Sequence, residues 1–183
     1  MKLDISQGML CKTTQKVSES LKTFYNGLAA RLPKEPYIGI DETGHKDNGK
    51  KHWTWCFQTR EYTLFHINIS RGSGVLFDLL GKAFGGTIGC DFYGAYRKFT
   101  RLCDALVQYC MAHLIREILF ICEHPIGLLV SWAKKLLKWL KKLFDTLHRS
   151  ESFTAECFVK KMKHIKNGFL SQMRQMPEHK LAK

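Results

Sequence analysis

Two short stretches constrain this chain more than anything else in it. Tyr37–Gly44 reads Tyr-Ile-Gly-Ile-Asp-Glu-Thr-Gly, and Gly86–Tyr93 reads Gly-Thr-Ile-Gly-Cys-Asp-Phe-Tyr. In each, a small apolar run ends abruptly in an acid. The pattern predicts two buried strands, the first delivering Asp41 and the second Asp91 to its exposed end. Strands placed side by side with a carboxylate on each make half of a divalent-cation site. Mg²⁺ takes oxygen ligands and usually binds one or two carboxylates together with substrate phosphates. A single strand-end Asp is ordinarily a turn residue or a helix cap. It is the pair that points to chemistry.

The segments between the two acids fix the expected architecture. Tyr37–Ile40, His52–Thr59 and Tyr62–Ser70 are rich in aromatic and β-branched residues, with a polar turn over 44–50 and the short link Arg60-Glu61. They read as a three-strand meander. Alternation divides the third strand into Leu64, His66, Asn68, Ser70 and Thr63, Phe65, Ile67, Ile69, and the second set is the expected core face. A helix over 75–84, stopped by Gly85-Gly86, precedes the Asp91 strand. A helix over Phe92–Arg101, a fifth strand over Ala105–Cys110 and a helix over Met111–Cys122 follow. A meander followed by crossover units predicts an α/β fold, a mixed sheet with helices packed on it.

The ends of the chain are helical in pattern. Residues 5–31 carry Val17, Leu21, Phe24, Tyr25 and Leu28 at helical spacing behind a capping Ser6, before a linker with Pro33 and Pro36. Residues 126–148 form the clearest amphipathic stretch. Leu129, Trp132, Leu136, Leu140, Leu143 and Leu147 lie along one face and Lys134, Lys135, Lys138, Lys141 and Lys142 along the other. A further basic helix is expected over 151–176. The organisation read from this is a lead-in helix and linker (1–36), a core (37–124) and a basic helical tail (125–183).

Charge narrows the partners. The 183 residues carry a net charge of +13. Residues 131–183 alone hold thirteen Lys or Arg against four Asp or Glu. Such an excess attracts polyanions, nucleic acid first and anionic membrane second. The lysine face suits a solvated surface, a phosphate-contacting surface or a membrane-surface helix. No apolar run reaches the roughly 18 residues of a membrane span. Seven scattered cysteines without a Cys-x-x-Cys pair exclude a disulfide framework and a zinc ribbon, and suit a cytoplasmic chain.

Taken in order, these stretches resemble the insertion-sequence transposases of group sixty-six. The resemblance rests on Asp41-Glu-Thr-Gly, Trp53-x-Trp55, Ser70-Arg71-Gly72, Gly89-Cys-Asp-Phe-Tyr-Gly-Ala-Tyr96 and Cys110-Met-Ala-His-Leu-Ile-Arg116, and runs from about Leu3 to at least Phe120. It implies a ribonuclease-H-like fold and three acids binding two Mg²⁺ or Mn²⁺ ions, with Asp41 the first acid and Asp91 the second. It further implies DNA as partner, with cleavage by water and then strand transfer by a DNA 3′-hydroxyl. Arg71, His113 and Arg116 become candidate DNA contacts, beside Lys134, Lys135, Lys138, Lys141 and Lys142.

The third acid of that family is a Glu in a motif resembling Asn-Asn-x-x-Glu-Arg. The four asparagines here are never adjacent. The upstream DNA- and zinc-binding region is also missing. The expectation is therefore a transposase fragment, truncated at both ends and inactive alone. The alternative is a DNA-binding or inhibitory module that joins DNA ends, itself or a full-length transposase. Two further rivals are a nuclease completed by a local Glu and a cationic membrane-surface protein. Glu117 reads as a helix-surface residue, and Glu42, facing away from Asp41 on a continuing strand, as a poor ligand. Cys110 and His113 read as a buried thiol and a helix-start His.

Overall fold

The computed structural model of the protein describes residues 6–178. These fall into two compact units that divide after Cys110. In the first, helix α1 (Gln7–Arg31) is followed by strands β1 (Tyr37–Asp47), β2 (Lys50–Gln58) and β3 (Thr63–Asn68). Helix α2 (Gly74–Leu80), strand β4 (Thr87–Cys90), helix α3 (Gly94–Leu102) and strand β5 (Leu106–Tyr109) complete it. The second unit holds α4 (Met111–Cys122), α5 (Gly127–His148) and α6 (Ala155–Arg174). The helix over 111–122, expected with the sheet, belongs to this second compact unit.

The five strands form one mixed sheet in the order β3-β2-β1-β4-β5. β1, β2 and β3 pair antiparallel, while β4 pairs parallel to β1 and β5 parallel to β4. One face of the sheet is the core. Ile38, Ile40, Trp55, Phe57, Leu64, Ile88 and Cys90 pack there against Val75, Leu76 and Leu80 of α2, Tyr96 and Phe99 of α3, and Phe84.

β1 is longer than expected. It runs six residues past Asp41, so that acid lies within the strand and not at its end. Pairing wins over local polarity here, because Glu42–Asp47 form a ladder with Lys50–Trp55. The reversal is confined to Asn48 and Gly49, with φ of 47° and 77°. Two consecutive left-handed residues are what a tight hairpin joining right-twisted strands requires.

The face assignment of β3 is inverted. Leu64 is buried, whereas Phe65, Ile67 and Ile69 are 60%, 62% and 76% exposed. Register decides this, since Leu64 pairs with Phe57 and His66 with Trp55, both of which point into the core. α2 also stops earlier than expected. Gly81, with φ of 75°, accepts the left-handed conformation at its end, ahead of Gly85-Gly86.

α1 begins where Ser6 predicts, its hydroxyl accepting the Met9 N–H at 3.2 Å. Only its last turns touch the sheet. The Tyr25 hydroxyl donates to the Phe65 carbonyl at 3.2 Å, and Leu28 packs on the core. Val17, Leu21 and Phe24 stay exposed.

The helical unit has its own core of Ile118, Trp132, Ala133, Leu136 and Leu140. The Trp132 indole N–H donates to the Gln172 carbonyl at 2.7 Å, tying α5 to α6. Leu147, assigned by spacing to the same stripe, is 39% exposed, while Thr146 beside it is buried. The tail helix expected over 151–176 starts four residues later, where Thr154 caps it by accepting the Cys157 N–H. Among the described residues no helix is long and apolar enough to cross a membrane.

Candidate active site

The parallel register of β1 and β4 sets Tyr37 beside Thr87, Ile38 beside Ile88 and Gly39 beside Gly89. Asp41 follows two residues later within β1, and Asp91 two residues later, just past the end of β4. In both strands the even-numbered residues enter the core, so the two acids share the opposite face. Gly89 shows the closeness of that face. A Cβ on it would strike the Tyr37 ring, which lies over it from the neighbouring strand. Asp41 is exposed and Asp91 half-buried.

Each carboxylate is held by a backbone N–H. Asp41 Oδ1 accepts the N–H of Glu42 at 3.0 Å, and Asp91 Oδ1 accepts the N–H of Tyr93 at 2.8 Å. The charges are felt nearby. Cys56, the cross-strand neighbour of Asp41, has its thiol raised by burial, with Asp41 adding to the rise. Cys90 is pushed up to about 12, mainly by burial and further by Asp91 and Glu42. It remains a neutral thiol, not a nucleophile.

Behind the acids lies an ionic cluster that the sequence did not reveal. Glu42 follows β1's alternation into the covered face, and its side chain is 1% exposed. Its Oε1 accepts the Arg71 Nε–H at 2.8 Å, and its Oε2 accepts the Tyr96 hydroxyl. The Arg71 guanidinium sits 3.9 Å from the centroid of the Tyr93 ring and 4.7 Å from that of Trp53. Burial pushes the Glu42 carboxyl above the usual range, against the pull of Tyr96 and Arg71, and Asp91 adds to the rise. Burial and the Glu42 carboxylate together raise Tyr96. One signal was available: in a strand continuing through Asp41, Glu42 must share the face of Ile38 and Ile40, where a carboxylate requires a cation.

The loop carrying Arg71 is fixed by its own short-range bonds. Asn68 Oδ1 accepts the Ser70 N–H at 2.9 Å, and Ser70 Oγ accepts the Gly72 N–H at 2.9 Å. The Trp55 indole N–H donates to the Ser70 carbonyl at 3.1 Å. Arg71, a candidate DNA contact by sequence, is thus engaged by protein partners.

The remaining candidates lie on the helical unit. Lys134, Lys135, Lys138, Lys141 and Lys142 are all exposed along α5, and Lys142 Nζ lies 4.4 Å from the Trp139 ring centroid. Arg116 and Glu117 are exposed on α4. His113 is half-buried, and its Nδ1 is buried with no hydrogen-bond partner among the described residues.

The donor set suits a hard cation. Two carboxylates share one sheet face, each oriented at Oδ1 by the main chain. Among the described residues no group of three or more His, Cys, Asp or Glu is gathered for a metal. Carboxylate oxygens are the donors that a hard cation takes.

A family model described as "Transposase IS66 family" matches residues 1–183. The chain belongs to the IS66 transposase family. The three-strand meander with two parallel strands added on β1 is the ribonuclease-H-like arrangement expected of it. No curated protein matches the chain. Among solved structures, it is similar to the simian T-cell lymphotropic virus intasome in complex with PP2A regulatory subunit B56 gamma. That match has 13% identity and a TM-score of 0.34, and covers 56% of this chain and 47% of that one. It is also similar to the HTLV-2 integrase catalytic core domain in complex with magnesium, in its trimeric and dimeric forms. Those matches have 14% identity and TM-scores of 0.33, cover 76% and 81% of this chain, and 85% and 91% of those chains.

Proposed function

We propose that this IS66-family chain acts on DNA through a divalent-cation site built on Asp41 and Asp91, with the lysine face of α5 contacting phosphates. The observation that supports the reading is the parallel pairing of β1 and β4 through Gly39 and Gly89, two residues before each acid. Asp41 and Asp91 would hold Mg²⁺ or Mn²⁺, which when bound stabilises charge on a phosphodiester undergoing in-line displacement. The chain's own part is to orient. The N–H groups of Glu42 and Tyr93 fix one oxygen of each acid. Two ions and strand cleavage require a third carboxylate that the described residues do not gather.

A second reading, a DNA-binding or inhibitory module, is favoured by the exposed lysines of α5 alone. DNA affinity measured with and without Mn²⁺ separates the two. Under the first reading, Mn²⁺ tightens binding of a short duplex by about tenfold, about 1.4 kcal/mol. Asp41→Asn and Asp91→Asn abolish that gain without weakening metal-free binding. Equal affinity with and without Mn²⁺ in the wild type sinks the metal reading and leaves the DNA-binding module. In either case, replacing Lys134, Lys138 and Lys141 by Glu should weaken binding and flatten its salt dependence.

A further inference from the structure

We infer that Arg71 is a positioning residue for the two acids, the single cation through which their separation is set. This deepens the reading above and rests on it. The inference comes from how the cluster is wired. The residue whose N–H orients Asp41 is Glu42, and the residue whose N–H orients Asp91 is Tyr93. The side chains of both converge on the Arg71 guanidinium, one by an ion pair at 2.8 Å and the other by ring stacking at 3.9 Å.

Glu42 belongs to β1, Tyr93 caps α3 two residues after Asp91, and Arg71 stands on the locked loop after β3. The Trp53 ring of β2 also lies by the guanidinium, its centroid 4.7 Å away, and Tyr96 of α3 takes the second Glu42 oxygen. Four elements thus meet at one planar group. A guanidinium can pair with a carboxylate at its edge while stacking on aromatic faces, which the compact ammonium of a lysine cannot do.

The pair is weak support for stability, because desolvation of the buried Glu42 carboxylate offsets the attraction. What it supplies is fixed geometry. With Arg71 in place, Glu42 and Tyr93 cannot shift independently, and the carboxylates beside them keep their relation across the β1–β4 seam.

The sign of one measurement distinguishes this role from simple electrostatics. Arg71 is a cation near two anions, so as a charge alone it repels a metal ion, and its removal would tighten Mn²⁺ binding. As a positioning residue, its removal loosens the acids and weakens binding. Mn²⁺ alone is titrated into the 183-residue chain, with the free ion followed by electron paramagnetic resonance. Expected results are loss of binding in Asp41→Asn, about tenfold weaker binding in Arg71→Gln, and partial recovery in Arg71→Lys.

Binding unchanged or tighter in Arg71→Gln, with Asp41→Asn still inactive for Mn²⁺, overturns the inference and leaves the proposed function standing. This outcome also returns Arg71 to the DNA-contact role. A wild type that binds no Mn²⁺ at millimolar concentration, or binds it equally in Asp41→Asn, overturns both. Should Arg71→Gln fail to fold, Tyr93→Leu decides. It keeps every charge and removes only the stacking ring, so weaker binding supports the inference and unchanged binding overturns it.

Discussion

At the scale of single residues, Glu42 shows how environment and charge compete. It has an ion pair, yet burial outweighs its partners and its carboxyl titrates above the usual range. The folded chain therefore protonates Glu42 more readily than the unfolded chain does. Its contribution to stability is complete below the ordinary carboxylate value and is lost as pH rises through the folded value. Glu42→Gln has no such titration. As pH rises above the ordinary glutamate value of about 4.3, the wild type should lose stability relative to this variant, as read from urea denaturation of both. A constant difference across that rise would contradict the burial argument. Cys90 makes a second test, because its thiol is buried and held protonated. An alkylating reagent should modify exposed Cys11 early and Cys90 only after unfolding, as followed by mass spectrometry of digests.

At the scale of elements, close approach matters more than propensity. Gly168 lies in α6 where a Cβ would strike the Trp139 indole of α5. Alanine there gains up to about 1 kcal/mol of helix propensity. Overpacking against a rigid ring costs about 1–3 kcal/mol. The net expectation for Gly168→Ala is a loss of stability, measured by thermal melting of the helical unit. A rise in melting temperature would show that the α5–α6 crossing has slack.

Elements of this kind were largely legible in the chain, because long periodic segments such as 111–122 and 127–148 announce themselves. The strands leading to Asp41 and Asp91 were legible for a similar reason, each a small apolar run before an acid. Two things were not. The inward face of β3 depends on its pairing with Trp55 and Phe57, and Phe65, Ile67 and Ile69 looked more apolar than the set that is buried. The Glu42–Arg71–Tyr96 cluster joins residues 29 and 54 positions apart, which local pattern cannot connect.

At the scale of the whole molecule, the two units carry separate apolar cores, one under the sheet and one among α4, α5 and α6. Removing a buried side chain should therefore be felt on one side only. Ile88→Ala and Ile118→Ala each delete a core residue, at a cost of about 2–5 kcal/mol. Calorimetry should show Ile88→Ala lowering a transition that Ile118→Ala leaves in place, and the reverse. A single transition lowered equally by both would mean that the units fold as one.

The outward row Phe65, Ile67 and Ile69 has a colloidal consequence. It lies along the strand at one margin of the sheet, where unpaired backbone groups invite another chain to pair. What keeps copies apart in dilute buffer is mutual repulsion from a net charge of +13. Salt removes that protection, since screening at physiological ionic strength reaches only about 8 Å. The same row of side chains thus makes the protein easiest to keep in solution at low salt.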